Sequence, residues 1–164
     1  MNPIDEPGVL ETDAVVVRTM RDTDLDAVVT IDAHGSGRRR RHYFEKLLER
    51  CVSQADLQIS LVAELDDQVV GYVAGNLYYG EFGIMEPFAT IDAVGVDPAW
   101  RRKSVGKALL RQLRHNLGAL RIGTIRTEVA WDDLELLAFL KTEGFTPADR
   151  LCLECPLDPT APGD

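Results

Sequence analysis

Cysteine is scarce in this chain: three residues among 164, namely Cys51, Cys152 and Cys155. So small and odd a number excludes a disulfide framework. Cys152-Leu153-Glu154-Cys155 spells C-x-x-C, but the segment 149–155 alternates as a terminal strand would. Positions i and i+3 of a strand face opposite sides, which suits neither a bridge nor a shared metal. No second pair is present to complete a zinc site, so no metal is expected. Long apolar runs are missing too. None reaches the roughly 20 residues that a bilayer span needs, and no signal-type apolar segment follows Met1. A cytoplasmic protein with no membrane partner is expected. Basic residues are outnumbered, 18 Lys and Arg against 27 Asp and Glu, for a formal net charge of −9. That balance argues against nucleic acid as the main partner, which needs a basic face. An amine-bearing acceptor suits an acidic surface better.

What is present fits one compact domain over residues 14–155. A chain of this length buries roughly 70% of its unfolded surface, and its 45% apolar content supplies a core. Residues 1–13, with Pro3, Pro7 and Gly8, read as a loose arm, and residues 156–164, with Pro159, Pro162 and Gly163, as a disordered tail. Residues 15–20 form a first strand. Thr23 and Asp26 suggest a capping box for a helix through about residue 33, with Leu25, Val28 and Val29 inward. Phe44, Leu47, Leu48 and Cys51 repeat at helical spacing and mark a second helix. Residues 58–65 and 68–79 pair as a hairpin about Asp66-Asp67. A strand at 88–97, a helix at 101–117, a strand at 122–131, a helix at 132–142 stopped by Gly144 and a last strand near 148–155 complete the order β-α-α-β-β-β-α-β-α-β. The two strands flanking the third helix should be parallel neighbours in a mixed α/β sheet.

Residues 90–118, TIDAVGVDPAWRRKSVGKALLRQLRHNLG, carry the most functional information. An apolar strand ends at Asp97-Pro98, and a cationic turn, Arg101-Arg102-Lys103-Ser104-Val105-Gly106-Lys107, runs straight into an amphipathic helix. Val105, Leu109, Leu113 and Leu117 mark its buried face. A helix start offers unpaired N–H groups and the positive end of a dipole. Gly106 allows close approach, and the cations add charge, so the turn reads as a phosphate cradle. It resembles the acyl-CoA-binding motif of the GNAT superfamily of N-acetyltransferases, Gln/Arg-x-x-Gly-x-Gly/Ala. Arg101 and Gly106 match, and Ser104 stands where the first Gly is usual. The element order and Gly144-Phe145 after the last helix resemble the same superfamily over residues 15–155.

The resemblance implies an N-acetyltransferase that takes acetyl-CoA as cosubstrate, with its pyrophosphate on residues 102–107. It implies that Val94, Gly95 and Val96 lie where a strand splays from its parallel neighbour, leaving Val94 and Val96 to pair with the pantetheine amides. Glu128 stands where many members carry a general base. Asp133 replaces the usual cofactor-contacting Asn. Leu140 occupies the position of the usual acidic Tyr. Tyr78, Tyr79 and Glu81 should border the acceptor cleft, where aromatic faces and a carboxylate would hold an ammonium. Asp92 is an alternative base or a satisfied buried carboxylate. Arg38-Arg39-Arg40-Arg41 either reaches anionic groups or forms a solvated face. The acceptor, small molecule or protein amine, stays open, as does a homodimer. A catalytically weak module that binds or senses acyl-CoA is the alternative reading.

Overall fold

A computed structural model describes residues 14–53, 59–80 and 83–157. The expected arm 1–13, most of the expected tail and Glu81 lie outside the described residues. The chain divides into two compact units, Met1–Ala130 and Trp131–Asp164.

The first unit holds β1 (Val16–Thr19), α1 (Leu25–Ser36), α2 (Arg41–Ser53), β2 (Leu61–Leu65), β3 (Gln68–Tyr78), β4 (Phe88–Val96), α3 (Val105–Ala119) and β5 (Ile125–Thr127). The strands form one five-stranded sheet in the order β1-β2-β3-β4-β5. β1 to β4 pair antiparallel, while β5 joins β4 parallel after the α3 crossover. Asp66 and Asp67 both take positive φ, 49° and 59°, which closes the β2–β3 hairpin with the twist that flanking strands favour.

The two faces of the sheet are filled by different helices. Tyr72, Ala74 and Ala93 pack under α1 and α2 with Val28, Val29, Ile31, Phe44 and Leu47. On the other face, a Cβ at Gly71 would meet Val105 and Leu109 of α3. All four apolar positions read from the α3 sequence, Val105, Leu109, Leu113 and Leu117, are buried.

The start of α1 differs from the capping box expected at Thr23 and Asp26. A 3₁₀ turn, Asp22–Asp24, precedes the helix, and Asp24 accepts from the Arg21 N–H at 2.7 Å. Asp24 is buried and gripped by the Arg18 guanidinium at 2.7 and 2.8 Å. Arg18 also reaches Glu64 of β2, so a long-range ion pair decides which acidic residue turns the chain.

The second unit contains α4 (Leu134–Thr142), which ends before Gly144 at φ +86°. The strand expected near 148–155 is not formed. Residues 145–157 have no regular secondary structure, and Leu151, Leu153 and Leu157 are exposed. Alternation can suggest a strand, but only a partner ladder makes one. The strand expected over 122–131 is likewise only Ile125–Thr127.

Candidate functional site

The site begins where β4 and β5 stop pairing. Their ladder comprises Ala89↔Ile125, Thr90↔Arg126 and Ile91↔Thr127. The Thr127 hydroxyl then donates to the Ile91 carbonyl at 2.9 Å and closes it. Beyond this point, residues 92–96 of β4 have no β5 partner among the described residues.

A bulge sets which backbone groups face the gap. On β3, Ala74 pairs with Ala93 but Gly75 pairs with Ile91, so Asp92 is an extra residue on β4. The crowding is severe enough that a Cβ on Gly75 would stand 1.8 Å from the Thr90 carbonyl oxygen. Before the bulge, odd-numbered residues face β5: the Ala89 N–H donates to Thr124 and Ile91 accepts from Thr127. After it, the Asp97 N–H turns the other way, to Val70 of β3. Backbone groups alternate sides along a strand, so Val96 and Val94 point into the gap and Gly95 toward β3. The one-residue insertion switches the parity. Gly95 itself is a packing glycine, because a Cβ there would lie 2.8 Å from the Tyr72 ring and 3.2 Å from Ile31.

β4 leads directly into the cationic turn. Asp97 accepts from the Ala99 N–H and starts a 3₁₀ turn, Pro98–Trp100, and the Lys103 ammonium lies 4.7 Å from the Trp100 ring centroid. Arg102 and Ser104 adopt positive φ, 61° and 59°. Ser104 serves as the N-cap of α3 without a side-chain bond, and its carbonyl accepts from Ala108 at 2.9 Å. The N–H groups of Val105, Gly106 and Lys107 precede that first helical bond and have no helical acceptor. Arg101, Arg102, Lys103 and Lys107 are exposed around them. Free N–H groups, a dipole end and cations thus occur together, a combination that can hold a phosphate.

Polar groups gather on the α1 face of the sheet, past the helices. Asp92 accepts from Thr90 Oγ1 at 2.7 Å and from Asn76 Nδ2. It is exposed rather than a buried carboxylate. Tyr78 is half-buried and stacked on Phe88 at 5.2 Å, and Arg126 covers Phe88 at 4.4 Å. Tyr79 is exposed, and Glu128 is exposed just past β5. Asn76, Thr90, Thr127 and Arg126 were not expected from sequence. A lone Asn in an apolar strand, at Asn76, was the signal available.

Other candidate groups are occupied elsewhere. Arg40 clamps Asp32 through two bonds, at 2.9 and 2.5 Å, and Tyr72 donates to the same carboxylate at 2.7 Å. Arg41 pairs with Asp26 and Glu45. The Asp133 carboxylate accepts from the Leu136 N–H at 3.1 Å and caps α4. Leu140 is buried, and its carbonyl accepts from Phe145. Among the described residues, no group of His, Cys, Asp and Glu could hold a metal ion, and no helix is long and apolar enough to cross a membrane.

A family model described as the acetyltransferase (GNAT) family matches residues 25–145. The chain belongs to the GNAT acetyltransferase family. Solved structures share this GNAT fold. Ard1 from Thermoplasma volcanium is 23% identical, with a TM-score of 0.69 over 81% of this chain and 83% of that one. An aminoglycoside N-acetyltransferase, AAC(6')-Iy in complex with CoA, is 14% identical, with a TM-score of 0.73 over 87% and 94%. Naa50 of Arabidopsis thaliana, in complex with the bisubstrate analogue CoA-Ac-MVNAL, is 21% identical, with a TM-score of 0.66 over 83% and 85%.

Proposed function

We propose that this GNAT protein transfers an acetyl group from acetyl-CoA to a primary amine. The carrying observation is the continuity of the open β4 edge at Val94 and Val96 with the cationic start of α3. Extended amides suit the former and phosphates the latter. Acetyl-CoA supplies an activated thioester. The amine nitrogen forms the new C–N bond as the C–S bond breaks, CoA leaves as thiolate, and a carboxylate, Glu128 or Asp92, accepts the amine proton. Backbone N–H groups at the open edge near Val94 would stabilise charge on the carbonyl oxygen. CoA complexes of GNAT structures with this fold support the choice of cosubstrate.

A second reading, an acyl-CoA-binding module with little turnover, is favoured by one observation. Leu140, where the superfamily's usual Tyr stands, is buried and aliphatic. Turnover of acetyl-CoA over a panel of amines and peptides separates the two, together with calorimetric CoA titration of Gly106→Asp. An acid in the first helical turn complements the dipole but opposes a phosphate. The variant should therefore fold normally and lose about tenfold or more in CoA affinity, near 1.4 kcal/mol. Unchanged affinity would remove the cradle from this account.

A further inference from the structure

The α1 face of the sheet carries an ordered charge pattern beyond the helices. Along β3, Tyr72, Ala74, Asn76 and Tyr78 share this face by their two-residue period. Their β4 partners are Gly95, Ala93, Thr90 and Phe88, and Arg126 is the β5 partner of Thr90. Helices α1 and α2 cover the Tyr72 and Ala74 rows. The next rows are accessible: Asp92 is exposed, and Asn76, Thr90 and Arg126 are half-buried. A fixed anion and a fixed cation therefore lie on neighbouring strands at the inner end of the gap.

Both are built rather than free to wander. Each oxygen of Asp92 accepts one bond, from Thr90 and from Asn76. A carboxylate offers about four acceptor sites, so about half remain for an ammonium. The Arg126 guanidinium rests on the Phe88 ring at 4.4 Å, and Phe88 is backed by Tyr78. Stacking leaves the rim of the guanidinium to bind, and no described carboxylate forms an ion pair with it. One strand apart and two residues along, their Cα atoms are about 8 Å from each other; Asp92 leans onto the Thr90 row and Arg126 onto the Phe88 row, so both side chains run the same way along the strands.

We infer that Arg126 is a specificity-determining residue: the acceptor is a small zwitterion of the α-amino acid class, its ammonium on Asp92 and its carboxylate on Arg126. This rests on the acetyltransferase reading. A guanidinium binds a carboxylate as a fork, and the same cation repels a polyamine or a polycationic sugar. The acidic surface alone would have favoured those. Arg126 sets which amine is presented, while the open β4 edge lies toward the next rows.

Matched amine pairs test this directly: L-methionine with 3-(methylthio)propylamine, and L-phenylalanine with 2-phenylethylamine. In the wild type, kcat/KM should be about tenfold or more higher for the carboxylate-bearing member. Arg126→Met keeps an apolar cover on Phe88. It should abolish that preference while changing the decarboxylated member by less than about twofold, and Arg126→Lys should restore part of it. Arg126-dependent acetylation of a Met-Asp peptide amide, with none of the free amino acids, would place the carboxylate on a peptide and overturn the amino-acid assignment. Equal loss for both members, or a wild-type preference for the decarboxylated one, overturns the inference while leaving the transferase reading intact. If no amine turns over, that reading fails. Calorimetry of L-methionine with CoA present then decides the inference, which requires binding that Arg126→Met removes.

Discussion

Tyr72 and Gly95 face each other across β3 and β4, and a Cβ on Gly95 would lie 2.8 Å from Cε1 of the ring. The ring cannot simply swing away. Its hydroxyl donates to Asp32, which Arg40 holds from α2's side, and Phe44 meets it edge-on at 5.4 Å. The backbone that faces the gap is thus indexed to a buried polar network.

Gly95→Ala should consequently cost about 1–3 kcal/mol, the usual range for overpacking a filled core. Urea unfolding would report it as a lower midpoint with unchanged slope. Tyr72→Leu removes the obstructing ring, so the alanine should cost measurably less in that background. Additive losses in the double variant would show that the contact does not set the strand's position.

Asp32 gives a pH dependence of defined sign. Burial pushes its carboxyl up, but the Arg40 and Tyr72 hydrogen bonds outweigh burial and hold it below the usual carboxylate range. Asp24 is lowered in the same way by Arg18 and the Arg21 N–H. Unfolded, both titrate at about 3.9. A group depressed in the folded state contributes its full stabilisation above the unfolded value and loses it as pH falls through the folded one. Stability should therefore hold near neutrality and decline below about pH 4. Asp32→Asn should lose about 2–3 kcal/mol at pH 7, short of a fully buried pair because Arg40 can rehydrate. The gap from wild type should narrow in acid. A constant gap from pH 7 to pH 3 would contradict the linkage.

Ser104 predicts a gain. Its φ of 59° is left-handed, and it caps α3 with no side-chain bond, so the side chain contributes strain without compensation. Left-handed geometry costs a residue with a Cβ about 1–2 kcal/mol, and glycine's greater unfolded freedom returns part of that. Ser104→Gly should raise stability by about 0.5–1 kcal/mol in thermal melts and leave CoA affinity unchanged or improved. A loss of stability would mean that the hydroxyl holds something of value.

The parts of this molecule legible in its sequence are those fixed by local chemistry. Asp66-Asp67 closes a hairpin because short polar side chains tolerate positive φ, and the spacing of Val105, Leu109, Leu113 and Leu117 records the face of α3. The element order was read from periodicity and turn signals, apart from the last strand, which does not form, whereas the open edge at Val94 and Val96 came from a resemblance. What stayed hidden depends on partners distant in sequence. Arg18 selects Asp24 over Thr23 at the head of α1, and no pattern within residues 20–26 shows that. Asp92 becomes a bulge only because Gly75 lets two backbones touch. The segment 148–155 alternates convincingly, yet a strand needs a neighbour's edge, which sequence spacing does not reveal.

Glu128 and Asp92 are the carboxylates proposed to relieve the amine of its proton, and their settings differ. Glu128 is exposed beyond the end of β5, with no bond to fix it among those described, as suits a group working through water. Asp92 is held by Thr90 and Asn76, as suits a group that positions a cation. Glu128→Gln should then lower kcat/KM by about 10²-fold at neutral pH, the lower bound for a general base. The loss should shrink toward about pH 10, above the range where an α-amino group deprotonates unaided. Asp92→Asn keeps the size and one acceptor, so it should raise KM for the amine about tenfold and change kcat less. The opposite outcome has an equally clear meaning. Full activity of Glu128→Gln at pH 7, with a collapse of kcat in Asp92→Asn that is relieved at high pH, would make the bulge carboxylate the base and leave Glu128 with no part in the chemistry.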